Sequence, residues 1–252
     1  MRNKKLVLAM LLSVVCARPD AAPVPPRLYI TTENSAPASM RDGDAVIGSA
    51  TDKVRELMAR AGIGYVIELL PWKRAYTMAQ QRKDACVYST TRTPEREALF
   101  KWVGPTDEGD WVLLGRADRN LQLHSLEDAR GLRIGTYNGD ARDEYLRARG
   151  FLVDPAPNDL INPRKLLLNR IDLWAASLRR GSEVLEQHGW AQQIVPLLTF
   201  NRVKLYLACN PGVPDALVER MNAAFETMAR DGTLKRIDRK YEHWVEAKGP
   251  VQ

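Results

Sequence analysis

The sequence predicts an α/β protein folded into two lobes, and three observations carry that reading. Short apolar, β-branched runs alternate with helical ones between Arg27 and Tyr88, which is the βαβ rhythm of a largely parallel sheet. A second round of the same rhythm runs from Trp111 to Tyr241. With 252 residues, 45% hydrophobic and 27% charged, the chain can bury a large core, which excludes disorder and a disulfide-stapled miniprotein.

Each element has its own local reason. After Pro23, Pro25 and Pro26, Arg27 to Thr32 reads as a strand and Glu33 to Gly48 as a loop rich in Gly, Ser, Pro and Asp. Thr51 or Asp52 can cap a helix whose Val54, Leu57, Met58 and Ala61 fall on one apolar stripe. Gly62 and Gly64 stop it. Tyr65 to Leu70 is strand-like, Pro71 to Gln81 helical, and Ala85 to Tyr88 a short buried strand. In the second round, Trp111 to Gly115 and Leu132 to Thr136 read as strands, a Gly-Asp turn follows, and Ala141 to Arg149 reads as a helix. A further helix ends at Leu166 to Arg170. Ile171 to Ala176, Ile194 to Leu198 and Val203 to Cys209 read as three strands. Pro214 to Arg230 places Leu217, Val218, Met221, Ala224, Phe225 and Met228 on one helical face, Asp231-Gly232 ends it, and Thr233 to Tyr241 is a last helix. No internal repeat or low-complexity segment is visible.

The first residues predict export. Arg2, Lys4 and Lys5 precede an apolar run from Leu6 to Val15, too short to span a bilayer and shaped like a secretory signal. Residues 1–22 are therefore expected to be a signal peptide, cut after Ala17 or Ala22. Either cut lowers the formal charge from +6 to +3, because Arg18 and Asp20 cancel. Cys16 offers the alternative of a lipoprotein, disfavoured by Val14 and Val15 where small residues usually stand. The remaining Lys and Arg are scattered among acids and no nucleic-acid module is present, so no nucleic-acid partner is expected. Cys86 and Cys209 each lie in an apolar run and read as buried thiols, with pairing as the alternative in an oxidising compartment. His124, His188 and His243 lie far apart without ligand-spaced neighbours, so neither a metal nor a cofactor is expected.

The run Ser89-Thr90-Thr91-Arg92-Thr93-Pro94-Glu95-Arg96 carries the most chemistry. It follows a buried strand, and strand ends are where α/β proteins bind ligands. Hydroxyls beside two guanidinium groups can meet a carboxylate, whereas a capped helix start explains only Thr93 and Pro94.

Thr93 to Arg96, then Phe100, Trp102, Gly104 and Pro105, resemble an element of the extracellular solute-binding proteins of the polar amino-acid class, which have the type II periplasmic-binding fold. Leu126-Glu127-Asp128 with Gly131 to Gly135, Arg170-Ile171-Asp172, and Met228 to Gly232 with Tyr241 resemble later elements in the same order. The resemblance implies a ligand cleft between two lobes, with 23–110 and 205–252 in one and 111–204 in the other. It implies that Arg96 grips a ligand carboxylate, that Ser89 and Thr91 flank it, that Trp72 stacks on the ligand, and that Glu33 in the first loop holds an ammonium group. Asn138 and Gly139 fall in the second-lobe turn.

The sequence departs from the family twice. Asp140 stands where a carboxylate-binding Thr is usual, which suits a helix N-cap or a cationic ligand group. Ser177 falls where the family places its ammonium-binding acid. The resemblance implies a non-enzymatic periplasmic receptor for a small polar, carboxylate-bearing ligand, delivering it to an ABC-transporter permease or a membrane sensor, and the chain's size and short loops, which leave room for little beyond the two lobes, make a monomer the expectation. The alternatives are a cleft enzyme resembling cyclohexadienyl dehydratase and an accessory protein with a vestigial cleft.

Overall fold

The computed structural model describes residues 27–242. The expected signal peptide, Cys16 and His243 lie outside the described residues. Ten strands and seven α-helices follow in the order β1 (Arg27–Thr32), β2 (Met40–Asp42), β3 (Ala45–Ile47), α1 (Ser49–Ala61), β4 (Gly64–Leu69), α2 (Trp72–Gln81), β5 (Ala85–Thr91), β6 (Lys101–Arg116), β7 (Ile134–Tyr137), α3 (Ala141–Ala148), β8 (Val153–Ala156), α4 (Asn162–Leu167), β9 (Leu173–Ser177), α5 (Leu178–Gln187), β10 (Ile194–Cys209), α6 (Asp215–Arg230) and α7 (Thr233–Tyr241).

Eight strands form one mixed sheet in the order β4-β1-β5-β10-β6-β9-β7-β8. Its outer thirds are parallel, β4-β1-β5 on one side and β9-β7-β8 on the other. The antiparallel pair β6 and β10 runs between them and belongs to both lobes. The sequence reading placed Ile194 to Leu198 and Val203 to Cys209 on separate strands, and the structure joins them. Polar Asn201 and Arg202 interrupt the apolar pattern, but shifts of register at Pro196/Leu198 and Thr199/Asn201 absorb the mismatch and the ladder continues. The expected lobe boundaries at 110/111 and 204/205 fall inside β6 and β10.

In the first lobe, the α1 residues Val54, Leu57 and Met58 and the α6 residues Leu217, Met221, Phe225 and Met228 are packed on one face of the sheet. The α2 residues Trp72, Ala75, Tyr76 and Ala79 cover the other face, against Val87, Phe100 and Ala208. In the second lobe, Trp174, Val184 and Leu185 pack with Val112 and Leu114 on one face, and Leu146 and Phe151 with Leu113, Ile134 and Leu173 on the other. Each Val, Leu, Ile, Met or Phe among these contributes roughly 1.5–3 kcal/mol by leaving water. Gly181 lies within α5, and a Cβ there would touch Leu114 Cδ1 at 3.0 Å, so this glycine lets the helix approach β6 closely.

Two local expectations are corrected. Cys86 and Cys209 are not separate thiols. They face each other in the antiparallel register of β5 and β10, with Cα atoms 4.0 Å apart, and form a disulfide. Neither Thr51 nor Asp52 caps α1, because the helix begins earlier, at Ser49 after Gly48. Its first amides donate instead to main-chain carbonyls, Ser49 N to Pro37 O at 2.9 Å and Ala50 N to Ala38 O at 3.0 Å. Asp140 does cap α3, accepting from Arg142 N at 2.8 Å.

Candidate ligand-binding site

Strand ends and their following loops build a cleft of about 800 Å3 between the lobes. On the first lobe, Glu33 follows β1. Its carbonyl accepts from Ser39 Oγ at 2.7 Å, and Ser35 pairs with Ser39, so the loop is folded upon itself. The α1 amides that reach Pro37 and Ala38 fix this loop from below. Ser89 in β5 lies in the cleft wall with φ 57°, a left-handed conformation uncommon for a residue with a Cβ.

On the second lobe, the end of β7 presents Tyr137, the turn after it presents Asp140, and the segment after β8 presents Asp159. Arg142 lies between the two acids. Its Nε is 2.6 Å from Asp140 Oδ1 and its guanidinium 3.7 Å from Asp159 Oδ2. Asp159 Oδ1 also accepts from Trp174 Nε1 at 2.8 Å and Asn162 Nδ2 at 3.0 Å, which orients it.

The charges do not balance around Glu33. Burial first, then the Asp140 and Asp159 carboxylates, push the Glu33 carboxyl up to about 8, against the opposing pull of Arg142 and Arg180. Burial also raises Asp140, but Arg142 outweighs it and holds this carboxyl below the usual carboxylate range. Burial and the neighbouring Glu33 raise the Tyr137 hydroxyl. Glu33 therefore keeps its proton near neutral pH until a positive charge arrives.

Of the residues singled out from sequence, Glu33, Trp72, Ser89, Thr91, Asp140 and Ser177 line the cleft. Asn138 is exposed on the turn, and Gly139 turns with φ 75° and uses its carbonyl to accept from Trp72 Nε1 at 2.9 Å. Arg96 is 1% exposed and lies behind the cleft wall, its guanidinium carbon 4.5 Å from the Tyr76 ring centre. Its Nε is 2.8 Å from Glu144 Oε2 and its Nη2 3.2 Å from Gly139 O, both on the second lobe. Sequence reasoning missed Tyr137 and Trp174, which stand on strands, and Arg142, Glu144 and Asp159, which stand at ordinary helix and turn positions, with no spacing to mark any of them.

The sequence profile of the bacterial extracellular solute-binding proteins, family 3, matches residues 28–243. The chain belongs to this family. No curated protein matches it. Among solved structures, it is similar to a histidine kinase sensor domain with similarity to periplasmic binding proteins, with TM-score 0.78 and 16% identity, over 88% of this chain and 99% of that one. It is also similar to an arginine-, lysine- and histidine-binding protein from the thermophilic bacterium Geobacillus stearothermophilus, with TM-score 0.72 and 16% identity, over 85% and 94% of the two chains. A third likeness is to an ancestral amino acid-binding protein, a precursor of cyclohexadienyl dehydratase, with TM-score 0.69 and 19% identity, over 86% and 95%. At such identities the likeness shows the fold. In this solute-binding protein the cleft lies where strand ends of both lobes converge. Among the described residues, no helix is long and apolar enough to cross a membrane.

Proposed function

We propose that this chain is a periplasmic solute receptor that closes its lobes on a small polar ligand carrying an ammonium or guanidinium group. One observation carries the reading: Glu33 from the first lobe and Asp140 and Asp159 from the second belong to one cleft, where burial and the two neighbouring carboxylates keep the proton on Glu33 and an arriving cation would let it ionise. A ligand cation would be met from both sides, so binding favours closure. Trp72 and Tyr137 supply flat apolar surface beside the acids, which suits a cationic head on an apolar stem. Where the ligand also bears a carboxylate, Arg179 and Arg180 in the same wall would share it with Glu183, from which they lie 3.5 and 4.0 Å, whereas Arg96 is buried in its pair with Glu144. The captured ligand would pass to an ABC-transporter permease or be read by a membrane sensor.

The test is a thermal-shift screen of residues 23–252 against amines, guanidines, basic and neutral amino acids, and di- and tricarboxylates, followed by calorimetry of each hit. The expected result is a raised midpoint with the cationic compounds. Response to dianionic carboxylates alone would overturn the charge reading, and no response from folded, ligand-free protein would favour an accessory role.

A second reading, acid catalysis in the same cleft, is favoured by Glu33 alone, since a carboxyl protonated near neutral pH can act as a general acid. Incubating each hit with the protein and analysing for product separates turnover from binding.

A further inference from the structure

We infer that Glu144 is a specificity-determining residue: it is a built-in carboxylate that occupies the Arg96 guanidinium across the lobes, so that the lobes close without a carboxylate from the ligand. This rests on the reading of the cleft as a solute site.

The argument begins with burial. Arg96 comes from the turn after β5 on the first lobe and is 1% exposed, so its charge has lost its water. A guanidinium in that position requires an anion, and removing the anion from such a pair is strongly destabilising because the remaining charge stays buried. Among the described residues, no acid of its own lobe pairs with it. Its ion-pair partner is Glu144, from the first turn of α3 on the opposite lobe, at 2.8 Å. Glu144 is itself 36% exposed, so this carboxylate enters from the solvent side. Arg96 Nη2 also donates to Gly139 O, while Nη1 is buried without a partner. The guanidinium thus sits where the lobes meet, next to the wall formed by Trp72, with one donor unused. A free carboxylate of similar size could take the same place only by displacing Glu144.

The seam around this pair is built for closure. Trp72 Nε1 reaches Gly139 O at 2.9 Å, and Arg149 Nη1 on the second lobe lies 3.3 Å from Glu95 Oε1 on the first. The first contact joins the start of α2 to the turn before α3, and the second joins the Pro94–Leu99 turn to the residue that follows α3. The Arg149–Glu95 pair leaves Arg96 untouched and so provides a control for a merely structural effect.

The experiment compares the wild-type chain with Glu144→Ala, Glu144→Gln, Arg149→Ala and the double variant Arg96→Met with Glu144→Ala, each melted with and without acetate, propionate or succinate. Chloride at equal ionic strength controls for screening. Glu144→Ala is expected to melt lower than wild type and to regain about 3 °C or more with acetate or propionate. Wild type, Arg149→Ala and the double variant are expected to gain nothing. Glu144→Gln keeps the side-chain shape and is expected to show a weaker carboxylate response, which keeps the test open if the alanine variant fails to fold. Absence of carboxylate rescue in a folded Glu144 variant, or equal carboxylate binding by wild type, would overturn the inference. Both results are independent of whether wild type binds cations, so this inference and the proposed function can fail separately.

Discussion

The indole N–H of Trp72, on the first lobe, donates to the carbonyl of Gly139, on the second, at 2.9 Å. Trp72 is thus both cleft wall and lobe-to-lobe tie. Replacing it with Phe keeps most of the flat surface and removes the tie. The loss of one such bond, about 1 kcal/mol, is expected to weaken ligand binding about fivefold. Calorimetry checks the affinity, and small-angle scattering should show a larger fraction of open molecules. Unchanged affinity and shape would remove this bond from closure.

Glu33 sets a pH dependence whose sign follows from its surroundings. Its folded value of about 8 lies above the usual carboxyl value of 4.5, so the ligand-free protein binds the proton more tightly than the unfolded chain does. Stability from this group is fully present below about pH 4.5 and is lost as pH rises through about 8. A bound cation reverses the preference. Affinity for a cationic ligand should rise with pH up to about 8, at most tenfold per pH unit, and binding at pH 7 should release close to one proton. Calorimetry in buffers of different ionisation enthalpy counts that proton. Glu33→Gln should flatten the profile while Asp140, Asp159, Arg142, Arg180 and Tyr137 remain.

The Cys86–Cys209 disulfide closes a loop with a sequence separation of 123 residues and lies in the core beneath α1 and α6. Cys86→Ala with Cys209→Ala is expected to cost about 2–5 kcal/mol, lowering the melting midpoint by roughly 10 °C. Ligand affinity, measured below that midpoint, should stay within about twofold, since neither cysteine lines the cleft.

Gly48 couples the helix start to the site. It adopts φ 129°, and an added Cβ would lie 2.3 Å from Ala38 O, in the loop that carries Glu33. Gly48→Ala should destabilise by about 2 kcal/mol or more and shift that loop. Thermal melting checks the first effect. A loss of cation binding in protein that remains folded checks the second.

Much of the fold was legible because apolar periodicity reports directly on burial. Val54, Leu57, Met58 and Ala61 marked the inward face of α1, and Leu217, Met221, Phe225 and Met228 that of α6. Where burial came from close approach rather than from side chains, the signal vanished. No element was expected between Ala176 and Ile194, yet α5 runs through Arg179-Arg180-Gly181, where Gly181 lets the helix settle on Leu114. The disulfide was undecidable from local composition, since it depends on the register of two strands far apart in the chain. For the site, Glu33, Trp72 and Asp140 were named through the family resemblance, while Arg142, Asp159 and Glu144 are defined by the partners that the fold brings to them. Arg96 shows the converse: its motif pointed to a charged ligand, but a single side chain from the other lobe already occupies it.

The central strands carry a consequence for how the protein is made. β5 and β10 are neighbours in the sheet, yet all of β6 to β9 is synthesised between them. Cys86 must therefore emerge and wait as a thiol until Cys209 follows 123 residues later. The first lobe is left as an unfinished half, open along one edge, while the second is laid down. The disulfide can form only after the chain returns, and it records that the whole excursion has been completed.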